Sequence, residues 1–252
     1  MKGHGQWLVG IGTASWLMLR AARGLSQDVV ESDALTARRL AAAFATYLWR
    51  PLPIFAALGI LTGLISGTIA AQLLTIYFAE RAIEPVLVRA LCRDVLPILL
   101  GIFFAGRVSV ELAARLAGTA LAREIDALEA LGRDPARHIL SPALAAVIAA
   151  VPVLMLVGVA CAIAATGFVL DRSGLTLMPT FIGLTLDYVT AGALAEGTLK
   201  ALLFAILAFG TGASVGAGGA RSPAEIGERA TTAFTIGLFS ILAAATLWTL
   251  LS

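Results

Sequence analysis

Charged side chains are scarce in this sequence, and their scarcity decides the class of protein. Asp, Glu, Lys and Arg make up 13% of the 252 residues, while 59% are hydrophobic; a soluble domain carries roughly a quarter charged residues. Three stretches of more than 20 residues contain no charge at all, namely 51–79, 139–170 and 230–252. Each exceeds the roughly 20 apolar residues with which a helix crosses a bilayer, and each is far too long for a barrel strand. The sequence therefore predicts an all-α integral membrane protein.

Residues that carry catalysis or bind metals are also few. The two histidines, His4 and His138, do not lie deep in an apolar stretch, and no paired aspartates occur within one, which argues against an intramembrane protease. Cys92 and Cys161 have no metal-like spacing and are expected to serve as small apolar residues. We therefore expect no catalytic residue, metal site or cofactor. No basic run indicates nucleic-acid binding, and no G-x-x-x-x-G-K-[ST] phosphate loop is present, so any ATP hydrolysis must come from another chain.

What the sequence does contain is enough apolar length for five transmembrane helices. They are predicted at 51–77, 95–115, 139–170, 188–215 and 230–251. The second must continue through Arg107, Glu111 and Arg115, because only twelve uncharged residues precede Arg107. These three charges follow one another at intervals of four with alternating sign, which favours ion pairing along one helix face. The apolar segment 175–187, interrupted by Pro179, is predicted to be re-entrant or interfacial.

The first 50 residues are predicted to lie along the membrane surface rather than across it. Residues 7–19 are apolar but too short to span, and their tryptophans are typical interfacial anchors. A cleaved signal peptide is the alternative, although no small-x-small cleavage site follows. Residues 26–48 add an amphipathic pattern. We therefore divide the chain into an N-terminal interfacial amphipathic region, 1–50, and a five-span domain, 51–252.

The distribution of Lys and Arg predicts the orientation of these spans. Segments 1–50, 107–138 and 221–229 together carry thirteen basic residues, whereas the opposite loops, 80–94 and 171–187, carry four. The positive-inside rule therefore places the N-terminus in the cytoplasm and, after five spans, the C-terminus outside.

Gly59, Gly63 and Gly67 form a small-residue stripe on the first span. Such a stripe permits close helix approach. Packing within one protomer and contact between two protomers are equally compatible with it.

Several short motifs then follow one another in a specific order. They are Arg93-Asp94-Val-Leu-Pro97, Phe104-Ala-Gly-Arg-Val-Ser109, the stretch REIDALEALGRDP at 123–135 with Ser141-Pro142, Lys200-Ala-Leu-Leu-Phe204 with Gly216, and GERATT at 227–232. In this order and spacing, over roughly residues 50–250, the chain resembles the MlaE/YrbE permeases. It departs from their pattern at Ser109, where a glycine is usual, at Arg115, where an acid is usual, and at Asp94, which replaces a glutamate.

The resemblance implies a function and a set of partners. Permeases of this kind move phospholipid or another lipid between the bacterial inner membrane and an extracytoplasmic channel of MCE-domain proteins. They act as dimers, of two identical copies or of paralogues, and a cytoplasmic ABC ATPase subunit drives them. Residues 51–252 would then be the permease domain of a multi-pass inner-membrane protein that is not itself an enzyme. The alternative is an ion-coupled secondary transporter or channel, for which Glu196 and Lys200 could supply buried charges.

Two groups of residues correspond to positions that the resemblance marks as functional. The lipid-binding group is Leu73, Leu74, Tyr77, Arg93, Asp94 and Lys200. The ATPase-coupling group is Glu124, Ile125, Asp126, Leu128, Glu129, Leu131, Gly132, Asp134 and Pro135.

Simpler interpretations compete with both roles. Arg93 and Asp94 could form an interfacial ion pair with each other, and Lys200 could pair with Glu196 one turn away. Segment 124–135 could be an ordinary solvated loop helix.

Overall fold

The computed structural model describes residues 20, 38, 41–77, 86–132 and 135–251. Within those ranges the ordered elements are helical and no strand occurs. The α-helices, numbered in chain order, are α1 (Pro51–Tyr77), α2 (Leu96–Phe104), α3 (Val110–Leu121), α4 (Glu124–Ala130), α5 (Pro135–Arg172), α6 (Met178–Tyr188), α7 (Ala191–Gly216) and α8 (Pro223–Leu251). Three π-helical turns, in which hydrogen bonds run i→i+5, occur at Ala45–Trp49, Leu91–Val95 and Ala105–Ser109.

Four helical segments in the described residues are long and apolar enough to cross a membrane. They are Ala41–Thr75, Ile139–Arg172, Ala191–Gly216 and Pro223–Leu251. They coincide with the predicted first, third, fourth and fifth spans, and the prediction of an all-α integral membrane protein is confirmed. The predicted second span falls in the helical run 86–121, which contains two π turns as well as α2 and α3. That this run crosses the membrane stays a prediction.

Helical structure also extends beyond the predicted start of the first span. It is already present at Ala41, ten residues before Pro51, because 41–49 contains no charge or breaker and Pro51 is tolerated in the first turn of α1. Most of the predicted interfacial region 1–50 lies outside the described residues, so its location stays a prediction. The segment predicted to be re-entrant or interfacial forms α6, with Pro179 in its first turn.

The chain divides into two compact units, which we describe separately. Unit 1 comprises the described residues among 1–47, 101–150 and 203–252, and unit 2 those among 48–100 and 151–202. In unit 1, α3 and the π turn Ala105–Ser109 pack against α8. The π turn also lies close to the C-terminal part of α7, where a Cβ on Gly212 would lie 2.7 Å from the Cα of Ser109.

In unit 2, α1 packs against α5 through its glycine stripe. A Cβ on Gly59 would lie 2.7 Å from the carbonyl oxygen of Gly158, and a Cβ on Gly63 would overlap the backbone of Ala162. The hydroxyl of Thr166 donates a hydrogen bond of 3.0 Å to the carbonyl of Gly63. The stripe therefore serves helix packing within the protomer, the first of the two interpretations that its sequence allowed.

The predicted stripe of alternating charges is present in unit 1. The guanidinium Nε of Arg107 lies 3.6 Å from Oε2 of Glu111, one helical turn away. Tyr47 is buried, and its hydroxyl interacts electrostatically with the charges of Glu111, Arg115 and Arg107. The side chains of Arg107 and Glu111 are 39% and 33% exposed, so each of these two charges is partly covered by protein.

Candidate functional site

A buried lysine is the central feature of unit 2. Lys200 lies on α7 with 2% of its side chain exposed, and its ammonium Nζ is 2.7 Å from Oδ1 of Asp94. Asp94 belongs to the π turn Leu91–Val95 and keeps 49% of its side chain exposed. An ammonium at the centre of a membrane helix costs about 2.5–3.5 kcal/mol on translocon-insertion scales. The Asp94 carboxylate offsets part of that cost.

A second ion pair lies beside the first. Nε of Arg93 donates a hydrogen bond of 2.6 Å to Oε1 of Glu196, and both side chains are about 30% exposed. Arg93 and Asp94 are adjacent in the π turn, while Glu196 and Lys200 are one turn apart on α7. The four residues form a cluster with two positive and two negative charges, which we call the ion-pair cluster.

Both ion pairs run between two helical elements, the π turn Leu91–Val95 and α7. The simpler interpretations had joined Arg93 to Asp94 and Lys200 to Glu196, as sequence neighbours. In the structure, Arg93 is hydrogen-bonded to Glu196 and Lys200 to Asp94. The cluster therefore also holds α7 against the π turn.

Gly197 makes this approach possible, and the sequence analysis missed it. A Cβ at position 197 would overlap the carbonyl oxygen of Cys92 and would lie 3.4 Å from Cε of Met155. Only a residue without a side chain lets the π turn lie directly against α7 between Glu196 and Lys200. The available signal was a glycine placed between two charges that share one helix face.

The other predicted lipid-binding residues lie near the end of α1. Leu74 is 3% exposed and belongs to the core of unit 2, whereas Leu73 is 39% exposed. Tyr77 is the last residue of α1, but its side chain is outside the described part. Of the six predicted lipid-binding residues, the structure brings together Arg93, Asp94 and Lys200 in the ion-pair cluster. The fourth member of the cluster, Glu196, was not among the six.

The predicted coupling segment contains a short helix in unit 1. α4 follows α3 after a two-residue turn in which Arg123 has a φ of 54°, and Gly132, with φ of 69°, follows its last turn. Leu131 is 73% exposed, Ile125 and Leu128 are half-buried, and Glu124 is exposed. The side chains of Asp126, Glu129 and Pro135, together with residue Asp134, lie outside the described part. Leu131 is therefore an exposed apolar side chain next to the end of α4.

The motif at 227–232 lies near the start of α8. A cavity of about 520 Å³ opens there, and its lining includes Arg221, Glu225, Glu228 and Arg229. Glu225 accepts a hydrogen bond of 2.7 Å from the backbone N–H of Arg221 and so helps to cap α8. Among the described residues, no group of three His, Cys, Asp or Glu side chains is placed to hold a metal ion.

Comparison with known proteins identifies the family. The family described as "Permease MlaE" matches residues 40–251. The chain belongs to the MlaE permease family. Its members are permeases and not enzymes, in agreement with the predicted absence of a catalytic role.

Curated relatives of this MlaE permease carry related names. The chain is 30% identical over 132 residues to a probable ABC transporter permease protein of Rickettsia typhi, covering 52% of this chain and 51% of the relative. It is 37% identical over 82 residues to one of Rickettsia prowazekii, covering 32% of each chain. It is 29% identical over 173 residues to one of a Synechocystis strain, covering 66% of this chain and 63% of the relative. The aligned part thus spans between a third and two thirds of these relatives.

Proposed function

We propose that this MlaE permease is the membrane subunit of an ATP-driven ABC transporter. It moves phospholipid or another lipid between the bacterial inner membrane and an extracytoplasmic MCE-domain protein, and it acts as a dimer with a second permease. The observation that carries the lipid role is the buried Lys200–Asp94 pair. A buried charged group in an apolar helix bundle is retained at a cost, which is why such groups mark transport sites.

ATP drives transport through a partner subunit in this proposal. Relatives that are named ABC transporter permeases support it, and the sequence has no phosphate loop of its own. The ATPase would contact α4 in the cytoplasm, where Leu131 offers an exposed apolar side chain. A short helix joined to longer helices by tight turns transmits rigid-body motion.

Leu73 and Tyr77 would provide an apolar wall for acyl chains, which Leu74 would support from the core of unit 2, while the ion-pair cluster would meet the headgroup. Guanidinium groups bind phosphate through two parallel N–H donors. This assignment of roles follows the correspondence with other permeases of the family.

An ion-coupled transporter is the second candidate, because the ion-pair cluster also has the composition of a charge relay. To separate the two, the permease is reconstituted with its ATPase in vesicles that contain a labelled phospholipid. Transfer of the label to a soluble MCE-domain acceptor should require hydrolysable ATP and should continue after an uncoupler has collapsed the proton gradient. Transfer that does not require ATP and that stops when the uncoupler is added would refute the proposal in favour of ion coupling.

A further inference from the structure

We infer that the ion-pair cluster selects a zwitterionic lipid headgroup, with a cationic amine beside its phosphate, over an anionic one. This inference rests on the proposed lipid-transport function and adds the substrate class. Three features of the cluster carry it: which charge is accessible, which donors are still open, and what the four charges sum to.

The accessible charge at the Lys200–Asp94 pair is negative. Lys200 is 2% exposed, so its ammonium lies behind the carboxylate to which it is bound, whereas the Asp94 side chain is 49% exposed. A carboxylate has two oxygens, and the bond to Lys200 is made by Oδ1. A ligand that approaches this pair therefore meets the carboxylate of Asp94 before the ammonium. A cationic amine fits that surface and a phosphate does not.

The open donors of the cluster belong to Arg93. Its Nε is bound to Glu196, but a guanidinium has five N–H donors in a planar fork. The side chain is 31% exposed, so its terminal nitrogens can reach a phosphate oxygen. Arg93 and Asp94 are adjacent in the chain, so a cationic and an anionic contact are offered side by side. The amine and the phosphate of a zwitterionic headgroup are likewise separated by a short linker.

The net charge of the cluster completes the argument. Lys200 and Arg93 balance Asp94 and Glu196, so the four side chains sum to zero. A zwitterionic headgroup leaves that sum unchanged. An anionic headgroup adds one negative charge beside two carboxylates in a medium of low dielectric constant, and like charges repel there far more than in water. Selection therefore comes from the repulsive contact with Asp94 as well as from the attractive ones.

The test uses the permease in complex with its ATPase, in vesicles with equal amounts of phosphatidylethanolamine and phosphatidylglycerol. Mass spectrometry of the purified complex measures which lipid remains bound. The wild type should retain phosphatidylethanolamine in several-fold excess. Asp94→Asn should abolish or reverse that excess, because it removes the anionic contact for the amine and leaves the cluster with one net positive charge. The matched control Asp171→Asn, at the exposed end of α5, should behave as the wild type does.

The double variant Asp94→Asn/Lys200→Met separates the loss of the Asp94 carboxylate from the change in net charge of the cluster. It also covers the case in which the single variant fails to fold. It removes one charge of each sign and leaves Arg93 bonded to Glu196. It should lose the preference for phosphatidylethanolamine without gaining phosphatidylglycerol. A wild-type complex that binds both lipids in the vesicle ratio, or prefers the anionic one, would overturn the inference and leave the transport proposal standing. A wild-type complex that binds neither lipid would overturn both.

Discussion

At the scale of single residues, the two members of the Lys200–Asp94 pair are not equivalent. The ammonium is almost fully buried while the carboxylate is half exposed, so the partner that is left behind by a substitution faces a different environment in each case. An unpaired buried charge costs several kcal/mol, whereas an unpaired exposed charge is solvated. Stability should therefore respond asymmetrically to the loss of either partner.

We expect Asp94→Asn to lower the melting temperature of the detergent-solubilised permease more than Lys200→Met does. The first change leaves a buried ammonium with a weaker partner and should cost up to about 3–5 kcal/mol, as breaking a buried pair does. Size-exclusion chromatography after heating measures the difference. Combining the two changes should recover most of the loss, and equal losses for the two single variants would contradict this account.

Single residues also show what the sequence could and could not predict. Lys200, Arg93 and Asp94 were found from their motifs, and Glu196 from its position one turn before Lys200. The simpler interpretations did not include the bonds between elements, because sequence spacing reveals neighbours along one helix only. The bonds from Arg93 to Glu196 and from Lys200 to Asp94 depend on the approach of two elements about a hundred residues apart in sequence. Gly197, which allows that approach, was missed for the same reason.

At the scale of elements, the contact between α1 and α5 depends on small residues. Gly63 meets the backbone of Ala162, which cannot move aside as a flexible side chain could. The periodicity of the glycines predicted a packing face correctly. It could not choose between packing within a protomer and packing between protomers, because both need the same small residues.

Gly63→Ala should destabilise the permease. The added methyl group overpacks the contact with α5, which typically costs about 1–3 kcal/mol, and a lower melting temperature of the purified protein would report it. Gly183→Ala is the matched control, because Gly183 lies on α6 with open space around it. The control should be neutral or slightly stabilising, since alanine is favoured over glycine within a helix. Equal melting temperatures for the two variants would show that the α1–α5 contact tolerates a side chain.

The second element with a testable role is α4. Replacing Leu128 and Leu131 with Asp places two charges on the surface proposed for the ATPase, and the permease should still insert into the membrane. ATPase copurification should fall at least about tenfold, since desolvating two carboxylates against an apolar partner is costly. Leu177→Asp, at an exposed leucine before α6, serves as control and should leave copurification intact. Retention of the ATPase by the double variant would show that α4 is not the coupling element.

At the scale of the whole molecule, four of the five predicted spans correspond to long apolar helices among the described residues, because a long uncharged stretch in lipid can satisfy its backbone hydrogen bonds only as a helix. The helical run 86–121 was harder to place, because its charges bring it below the apolar length of the other spans. Orientation rests on the count of basic residues alone.

Cysteine labelling in intact cells tests that orientation. In a background with Cys92→Ala and Cys161→Ala, single cysteines are introduced at Ala122, in the turn before α4, and at Ser173, after α5; both positions are exposed. A membrane-impermeant maleimide should label position 173 from outside and position 122 only after the cells are opened. Labelling of both from the same side would refute the predicted topology.

The π turn at Ala105–Ser109 has a consequence for how the surrounding helix can be altered. Such a turn holds one residue more than the α-helix on either side of it, and one residue corresponds to about 100° of rotation in an α-helix. A helical wheel drawn straight through from Gly101 to Leu121 therefore assigns one end to the wrong azimuth. Removing one residue from the turn would let it close as regular α-helix, yet it would swing α3 out of phase with Phe104. The extra residue of the π turn therefore sets which side of α3 packs against its neighbours. A deletion that restored a regular α-helix would rotate the side chains of α3 away from these contacts.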